Sequence, residues 1–521
     1  MTALHTIPDA LRHAVRIWRD KIFIQQDESC LTFADTAQQV EALAKQLVSR
    51  GFKPGECAAI WCPNRYEWII ACLAVQTAGG IVVPLNTRFK GKEAEQAINA
   101  SQCRWLFCIG HFLGTDYPAS INRQTTPSLH TVVCIGEPSN SADLHWDTLL
   151  AEPEPAATLP QVTGNMTSDI IFTSGTTGAP KGVVTLHQQN IDTFTAFYQT
   201  LGLDHNDRYL VINPFFHSFG YKAGMLACLL SGATLLPEAT FDVAHVLRRI
   251  GEDAITVLPG PPTIFQAMLA HPDLASTDIS SLAKATTGAA VIPTQLILDM
   301  KNILGIDTVI TAYGLSESCG LATMCRRGDD EKTIASTSGR AIEGVEVAIM
   351  DANGAPLGPN ESGEIVIRGY NVMAGYLDNP EATAATIDSE GWLHTGDIGH
   401  LDDAGNLSIT DRLKDMYISG GFNCYPAEIE NMILAHPNIS TCAVIGVPDT
   451  RLGEVGALFY TTQGDALDHD TLYQWCRDNL ANYKVPRSFH HCTSLPLTAS
   501  GKVHKPSLRD MWQTQATHGE Q

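Results

Sequence analysis

Between residue 30 and about residue 110 the sequence alternates two periodicities. In "TFADTAQQVEALAKQLVSRG" the apolar residues Val40, Leu43, Ala44 and Leu47 recur at helical spacing. Thr32 and Asp35 offer an N-terminal capping pair, and Gly51 stops the run. "CAAIW" reads as a short buried strand, a helix follows from about Tyr66, and "IVVPL" is the next strand. Repetition of strand, helix and strand requires a parallel sheet with helices on its faces. The expected fold class is therefore α/β.

The texture changes at about residue 335. "VEVAIMD", "EIVIRG" and "NLSITD" are short strands, and "DANG" and "DDAG" are turn signals, so a β-rich subdomain is expected over about 335–411. After Arg412 the pattern is mixed again. "PAEIENMIL" and "DTLYQWCRDNL" read as helices, and "TCAVIGV" and "GALFY" as strands of a small α+β domain. Residues 137–165, rich in Pro, Ser and Ala, read as a surface connection.

A chain of 521 residues exceeds one ordinary core, which fits a large domain followed by a small one. Its net charge of −22 argues against nucleic acid or an anionic membrane as partner, but not against a small anion met by a few local cations. "WIIACLAVQTAGGIVVPL" is interrupted by polar residues, paired Gly and Pro, so no integral membrane contact is expected. The N-terminus lacks an apolar leader core, and the 14 cysteines are scattered without a C-x-x-C pair. Both features read as a cytoplasmic protein with reduced thiols. A homo-oligomer is compatible with the chain.

The chemistry concentrates first in "DIIFTSGTTGAPKGVV", Asp169 to Val184. Counting from Gly175, Pro180 stands where a Walker loop needs its second glycine, so that motif fails. "GVVTLH" continues as a strand rather than a helix. The segment from Thr173 to Lys181 is thus the tip of a β-hairpin. Gly175 and Gly178 let backbone N–H groups approach an anion, Ser174, Thr176 and Thr177 add hydroxyls, and Lys181 adds charge. On spacing alone, a plain surface turn is an equal reading.

"TSGTTGAPKG" resembles the signature of the adenylate-forming superfamily, which includes acyl- and aryl-CoA synthetases, peptide-synthetase adenylation domains and beetle luciferases. "NPFFHSFG", "TTGAA", "AYGLSES", "GEIVIRG", "GWLHTGDIG", "DRLKDMYISGGFNCYPAEIE" and "PLTASGKVHK" follow in the superfamily's order. The resemblance implies a large domain over 1–411, a hinge at 412–414 and a small mobile domain over 415–521. It implies two half-reactions: a carboxylate attacks the α-phosphorus of ATP and expels pyrophosphate, then a thiol, usually that of CoA, releases AMP. It also assigns roles. Lys502 would bridge the carboxylate and α-phosphate, and Glu317 would hold Mg²⁺. Thr173 to Lys181, with Ala179 and Pro180, would grip the outer phosphates.

Gly288, Ala289, Ala290 and Tyr313 would enclose the adenine, Gly314 would belong to the ATP site, Ser316 would add a hydroxyl, and Asp397 and Arg412 would bind the ribose. Lys414 would be the hinge, Gly420 and Gly421 would line the CoA tunnel, and His217 would gate the acyl pocket. Phe216, Phe219, Tyr221, Phe265, Leu315 and Cys319 are its expected lining. No acidic residue in "HSFGYKAG" pairs an amino group, which disfavours an α-amino acid and favours a fatty, aryl or alicyclic one. "NPFFHSFGYKAG" with "VLPGPPTIFQ" resembles bacterial acyl-CoA ligases of steroid degradation, which activate the propanoate side chain of a bicyclic indane. An acyl-AMP ligase serving a carrier protein, an aryl-CoA ligase and a non-catalytic nucleotide-binding relic are the alternatives.

Overall fold

A computed structural model describes residues 4–518 apart from 153–154, 174–180, 289–291, 413–414, 420–421, 450, 464–466, 481 and 499–501. Four expected elements of the N-terminal alternation form. The helix Phe33–Ser49 starts at a capping box, with the Thr32 hydroxyl accepting the Asp35 N–H (3.0 Å) and the Asp35 carboxylate accepting that of Thr32 (3.0 Å). Such a cap stabilises a helix by about 1 kcal/mol. Gly51, at φ +89°, ends the turn in a conformation that suits glycine. Cys57–Trp61 and Ile81–Pro84 are parallel neighbours, and the helix Tyr66–Thr77 between them is buried around most of its circumference.

Two large sheets carry the N-terminal part. One has eight strands and holds Cys57–Trp61, Ile81–Pro84 and the hairpin Thr167–Thr173/Lys181–Leu186. The other has nine. Its centre is parallel: Arg208–Val211 lies between Thr234–Pro237 and Val257–Pro259, and Lys284–Thr287 and Thr308–Tyr313 follow. In open sheets of this kind ligands sit beyond the carboxyl ends of the strands. "NPFFHSFG", "TTGAA" and "AYGLSES" all begin there.

The expected β-rich part is a four-stranded antiparallel sheet, Val345–Met350, Gly363–Gly369, Leu393–Leu401 and Leu407–Arg412. "DDAG" makes its tight connection, whereas "DANG" is one turn within a longer loop. The last sheet contains Ile439–Asp449 and Gly453–Thr462. Along the first of these, Cys442 and Val444 face one apolar cluster while Ala443, Ile445 and Val447 face another, the alternation a two-sided sheet requires.

Residues 137–165 depart from the expected surface connection. They include the short helix Trp146–Ala151, which buries Trp146 and Leu149. Two apolar residues three positions apart suffice to dock one and a half turns on the core. All 14 cysteines are free, and 12 of them are buried.

Candidate active site

Tyr313 closes the strand Thr308–Tyr313, and its phenol donates a 2.6 Å hydrogen bond to Asp397 Oδ2. Both residues are nearly buried, 9% and 6% exposed, so the bond holds the tyrosine expected at the adenine and the carboxylate expected at the ribose at one place. Asp397 belongs to the four-stranded sheet and lies in register with Arg412 on the neighbouring strand. The Arg412 side chain lies outside the described residues.

The turn that presents Asp397 is built by residues beside it. Gly396, at φ +67°, gives its N–H to Glu364 Oε1 (3.1 Å). The Thr395 hydroxyl accepts the Asp397 N–H (3.0 Å) and donates to the Ile365 carbonyl (2.6 Å). His394 Nδ1 meets Glu364 Oε2 at 2.8 Å and its Nε2 lies 3.5 Å from Asp388. Partial burial opposes charge on this imidazole, but the two carboxylates outweigh it and raise its pKa.

On the neighbouring strand Lys284–Thr287 the chain reaches Gly288 at φ +155°, where a Cβ would stand 3.2 Å from the Ala312 carbonyl. A glycine there lets the two strand ends approach closely. Ala289 and Ala290 lie outside the described residues.

The hairpin is antiparallel with Thr173 opposite Lys181, as the sequence requires. Ser174 to Pro180 lie outside the described residues. The Lys181 ammonium stands 4.7 Å from the centroid of the Tyr376 ring. The Tyr376 phenol in turn donates to Glu317 Oε1 at 2.8 Å. Burial and the adjacent Glu317 carboxylate push this phenol above its ordinary pKa, so it stays a donor. Glu317 rides the turn Ser316–Ser318 directly after Gly314 and Leu315.

His217 follows the strand Arg208–Val211. Its Nδ1 accepts the Phe219 N–H at 3.2 Å, which leaves Nε2 as the protonated nitrogen. Gly220 is required beneath it, since a Cβ would fall 2.2 Å from the Asn213 carbonyl. The His217 side chain is exposed to solvent, yet protein atoms crowd around its ring. Burial, and then the Lys502 charge, push its pKa down to about 4, so the imidazole is neutral at pH 7. The Lys502 charge therefore acts on His217. Lys502 is exposed, on a loop closed by the Leu497–Val503 bridge, and its N–H reaches the Thr498 hydroxyl (3.1 Å). Lys414, Gly420 and Gly421 lie outside the described residues.

Among the expected acyl-pocket residues, Phe216, Phe219 and Leu315 are half-buried, while Tyr221, Phe265 and Cys319 are fully buried. The Tyr221 hydroxyl accepts from Gln76 (2.7 Å), at the start of a π-helical stretch, Tyr221–Leu226. The next residue, Lys222, is 1% exposed and pairs with Asp169 (0% exposed) at 3.0 Å. Thr185 and Cys319 complete its shell at 3.0 and 3.7 Å. Removing one partner of such a pair costs about 3–5 kcal/mol, so the pair locks the helix after His217 to the strand that enters the hairpin.

Sequence reasoning missed this pair, because a lysine among apolar residues carries no mark of its partner. It also missed Tyr376, Glu364 and His394. The last two lie inside the quoted motifs "GEIVIRG" and "GWLHTGDIG", and only the strand register brings them together.

Tyr313 bonded to Asp397, Glu317 bonded to Tyr376 beside Lys181, and Lys502 with its charge acting on His217 are the groups expected of an adenylate-forming enzyme. Comparison with known proteins gives the family. Residues 11–377 match the AMP-binding enzyme family and residues 428–502 the AMP-binding enzyme C-terminal domain, and the chain belongs to this family. It is 47% identical, over 98% of its length and 99% of the relative's, to the 3-[(3aS,4S,7aS)-7a-methyl-1,5-dioxo-octahydro-1H-inden-4-yl]propanoyl:CoA ligase of Mycobacterium tuberculosis. The Rhodococcus jostii ligase of the same name is 46% identical over 97% and 98%. Among solved structures, the anthranilate CoA ligase AuaEII in complex with anthranoyl-AMP superposes with a TM-score of 0.91 at 26% identity, covering 99% of both chains. The chain is an AMP-forming acyl-CoA synthetase.

Proposed function

We propose that this enzyme activates a bicyclic, ketone-bearing indane-propanoic acid as its CoA thioester. The whole-length likeness to the two indane-propanoyl:CoA ligases carries this reading. Two features of the chain support it. The expected acyl lining Phe216, Phe219 and Leu315 is apolar and half-buried, and "HSFGYKAG" contains no carboxylate for an amino group.

In the first half-reaction the substrate carboxylate attacks the α-phosphorus while the bond to pyrophosphate breaks. Both reactants are anions, so the enzyme supplies position and positive charge rather than a base. Tyr313 and Asp397 fix the nucleoside end, the hairpin with Lys181 the outer phosphates. Lys502 stands between carboxylate and α-phosphate. His217 is neutral, which leaves the charge in this part of the cleft to Lys502.

Glu317 is an oxygen donor of the kind a hard divalent cation takes. No cluster of three or more His, Cys, Asp or Glu arranged for a metal occurs among the described residues, so most donors to Mg²⁺ would come from the triphosphate and water. When bound, the ion supplies charge neutralisation on the phosphates.

In the second half-reaction CoA sulfur attacks the acyl carbon and AMP leaves. Lys502 must withdraw for the thiol to enter, and a hinge at Lys414 would allow it. Buried free thiols fit a reducing compartment such as the cytoplasm, and no helix among the described residues is long and apolar enough to cross a membrane.

The test is pyrophosphate release over indane-propanoic, fatty and aryl acids, with and without CoA. The indane acid should give the highest kcat/KM, by about 100-fold or more, with a thioester of matching mass. Preference for a long-chain fatty acid would refute the substrate. Turnover that CoA does not increase for any acid would favour a carrier-protein acceptor.

A further inference from the structure

The segment Met373–Leu377 straps the two large sheets together at the active site. At one end the Met373 N–H donates to the Glu317 carbonyl (2.8 Å), on the nine-stranded side. Beside it the Ala374 N–H donates to the Val184 carbonyl (2.9 Å), and at the other end the Leu377 N–H donates to that of Gly182 (2.8 Å), both on the hairpin strand. Between them Gly375–Tyr376 pairs antiparallel with Lys181–Leu186, Tyr376 opposite Val183. Gly375 adopts φ +146°, and a Cβ there would press on Thr383 at 3.0 Å. The Thr383 hydroxyl accepts the Tyr376 N–H at 2.9 Å. The backbone is thus fixed on every side of one tyrosine.

That tyrosine points its phenol at Glu317 Oε1 (2.8 Å) and its ring face at the Lys181 ammonium (4.7 Å). Among the described residues, no other hydrogen bond or ion pair reaches the Glu317 carboxylate. A glutamate on a three-residue turn has three rotatable bonds. A phenol on a fixed strand removes that freedom by holding one oxygen and leaving the second directed elsewhere. The same ring also seats the cation of the phosphate hairpin.

We propose that Tyr376 is a positioning residue that presets Glu317 for metal-bound ATP, so that the hairpin and the metal carboxylate act as one unit. This rests on the reading of Glu317 as the Mg²⁺-facing carboxylate.

Calorimetric titration of the full-length enzyme with ATP, in Mg²⁺ and in EDTA, tests both. Tyr376→Phe keeps the ring, and with it the seat of Lys181, while deleting the bond to Glu317. It should weaken Mg²⁺·ATP binding about ten-fold, the loss of one hydrogen bond to a charged group. Metal-free ATP affinity should change less than about two-fold. Glu317→Gln should abolish the advantage of Mg²⁺·ATP over ATP, and adding Tyr376→Phe to it should cost no more. If Tyr376→Phe binds both forms like wild type while Glu317→Gln loses the Mg²⁺ advantage, the proposal is overturned and the role of Glu317 stands. If Glu317→Gln keeps that advantage, the reading of Glu317 itself fails.

Discussion

The two sides of the cleft are built differently. On the large-domain side several described polar groups are tied to their neighbours. Tyr313 holds Asp397, Tyr376 holds Glu317, Glu364 holds the Gly396 turn, and Lys222 locks Asp169 beneath the hairpin strand. On the small-domain side Lys502 is exposed on a loop closed by an isolated bridge and the Thr498 contacts. The first arrangement suits binding, where preorganised groups lose little freedom. The second suits a group that must arrive and leave within one turnover. Burial, and then the Lys502 charge, push the His217 pKa down, and a neutral imidazole would not repel a lysine entering beside it.

The largest expected effect is on the Lys502 side. Lys502→Ala should slow acyl-adenylate formation by about 10³-fold or more, a loss of roughly 4 kcal/mol of transition-state stabilisation. Thiolysis of supplied acyl-adenylate should be nearly unchanged, and rapid-quench assays of each half-reaction separate the two. Equal losses in both would end the assignment of Lys502 to the first step alone. Next, Lys414→Pro should leave single-turnover pyrophosphate release intact but lower thioester formation by about 100-fold. Wild-type turnover would remove the hinge from the account.

On the fixed side, Asp397→Ala should raise the KM for ATP by about 10- to 100-fold with a smaller change in kcat. A kcat effect larger than the KM effect would blur the division between the two sides.

The smallest effect concerns stability. His187 is fully buried under the large domain, and burial, partly opposed by Asp169, holds its pKa down at about 4. Below the unfolded value of about 6.5 the unfolded chain takes up a proton that the folded chain refuses, so stability falls as pH drops. The loss should reach about 2 kcal/mol by pH 5. Urea melts of His187→Gln should show a flatter slope between pH 7 and pH 5. An unchanged slope would assign acid sensitivity to other groups.

Much of this was legible in the sequence, and the limit has a physical cause. The helix Phe33–Ser49 is local, and its capping pair and stop can be read directly from Thr32, Asp35 and Gly51. The hairpin is local too, since an apolar run on each side of a Gly-rich tip admits few alternatives. What the sequence does not show is reach across the fold. Tyr376 meets Glu317 through two different sheets, and a Gly-Tyr pair carries no sign of that. Lys222 and Asp169 sit in segments that each read as apolar structure, and only their burial shows that the charges pair. The helix Trp146–Ala151 was hidden by the polar residues around it.

If the cleft has a binding side and a reacting side, Lys502→Ala should separate affinity from rate. ATP binding to this variant, measured by calorimetry beside single-turnover pyrophosphate release, should give a Kd within about two-fold of wild type while the rate falls about 10³-fold. A Kd that rises in proportion to the lost rate would show Lys502 to be part of the binding surface, and the two sides of the cleft would no longer differ in kind.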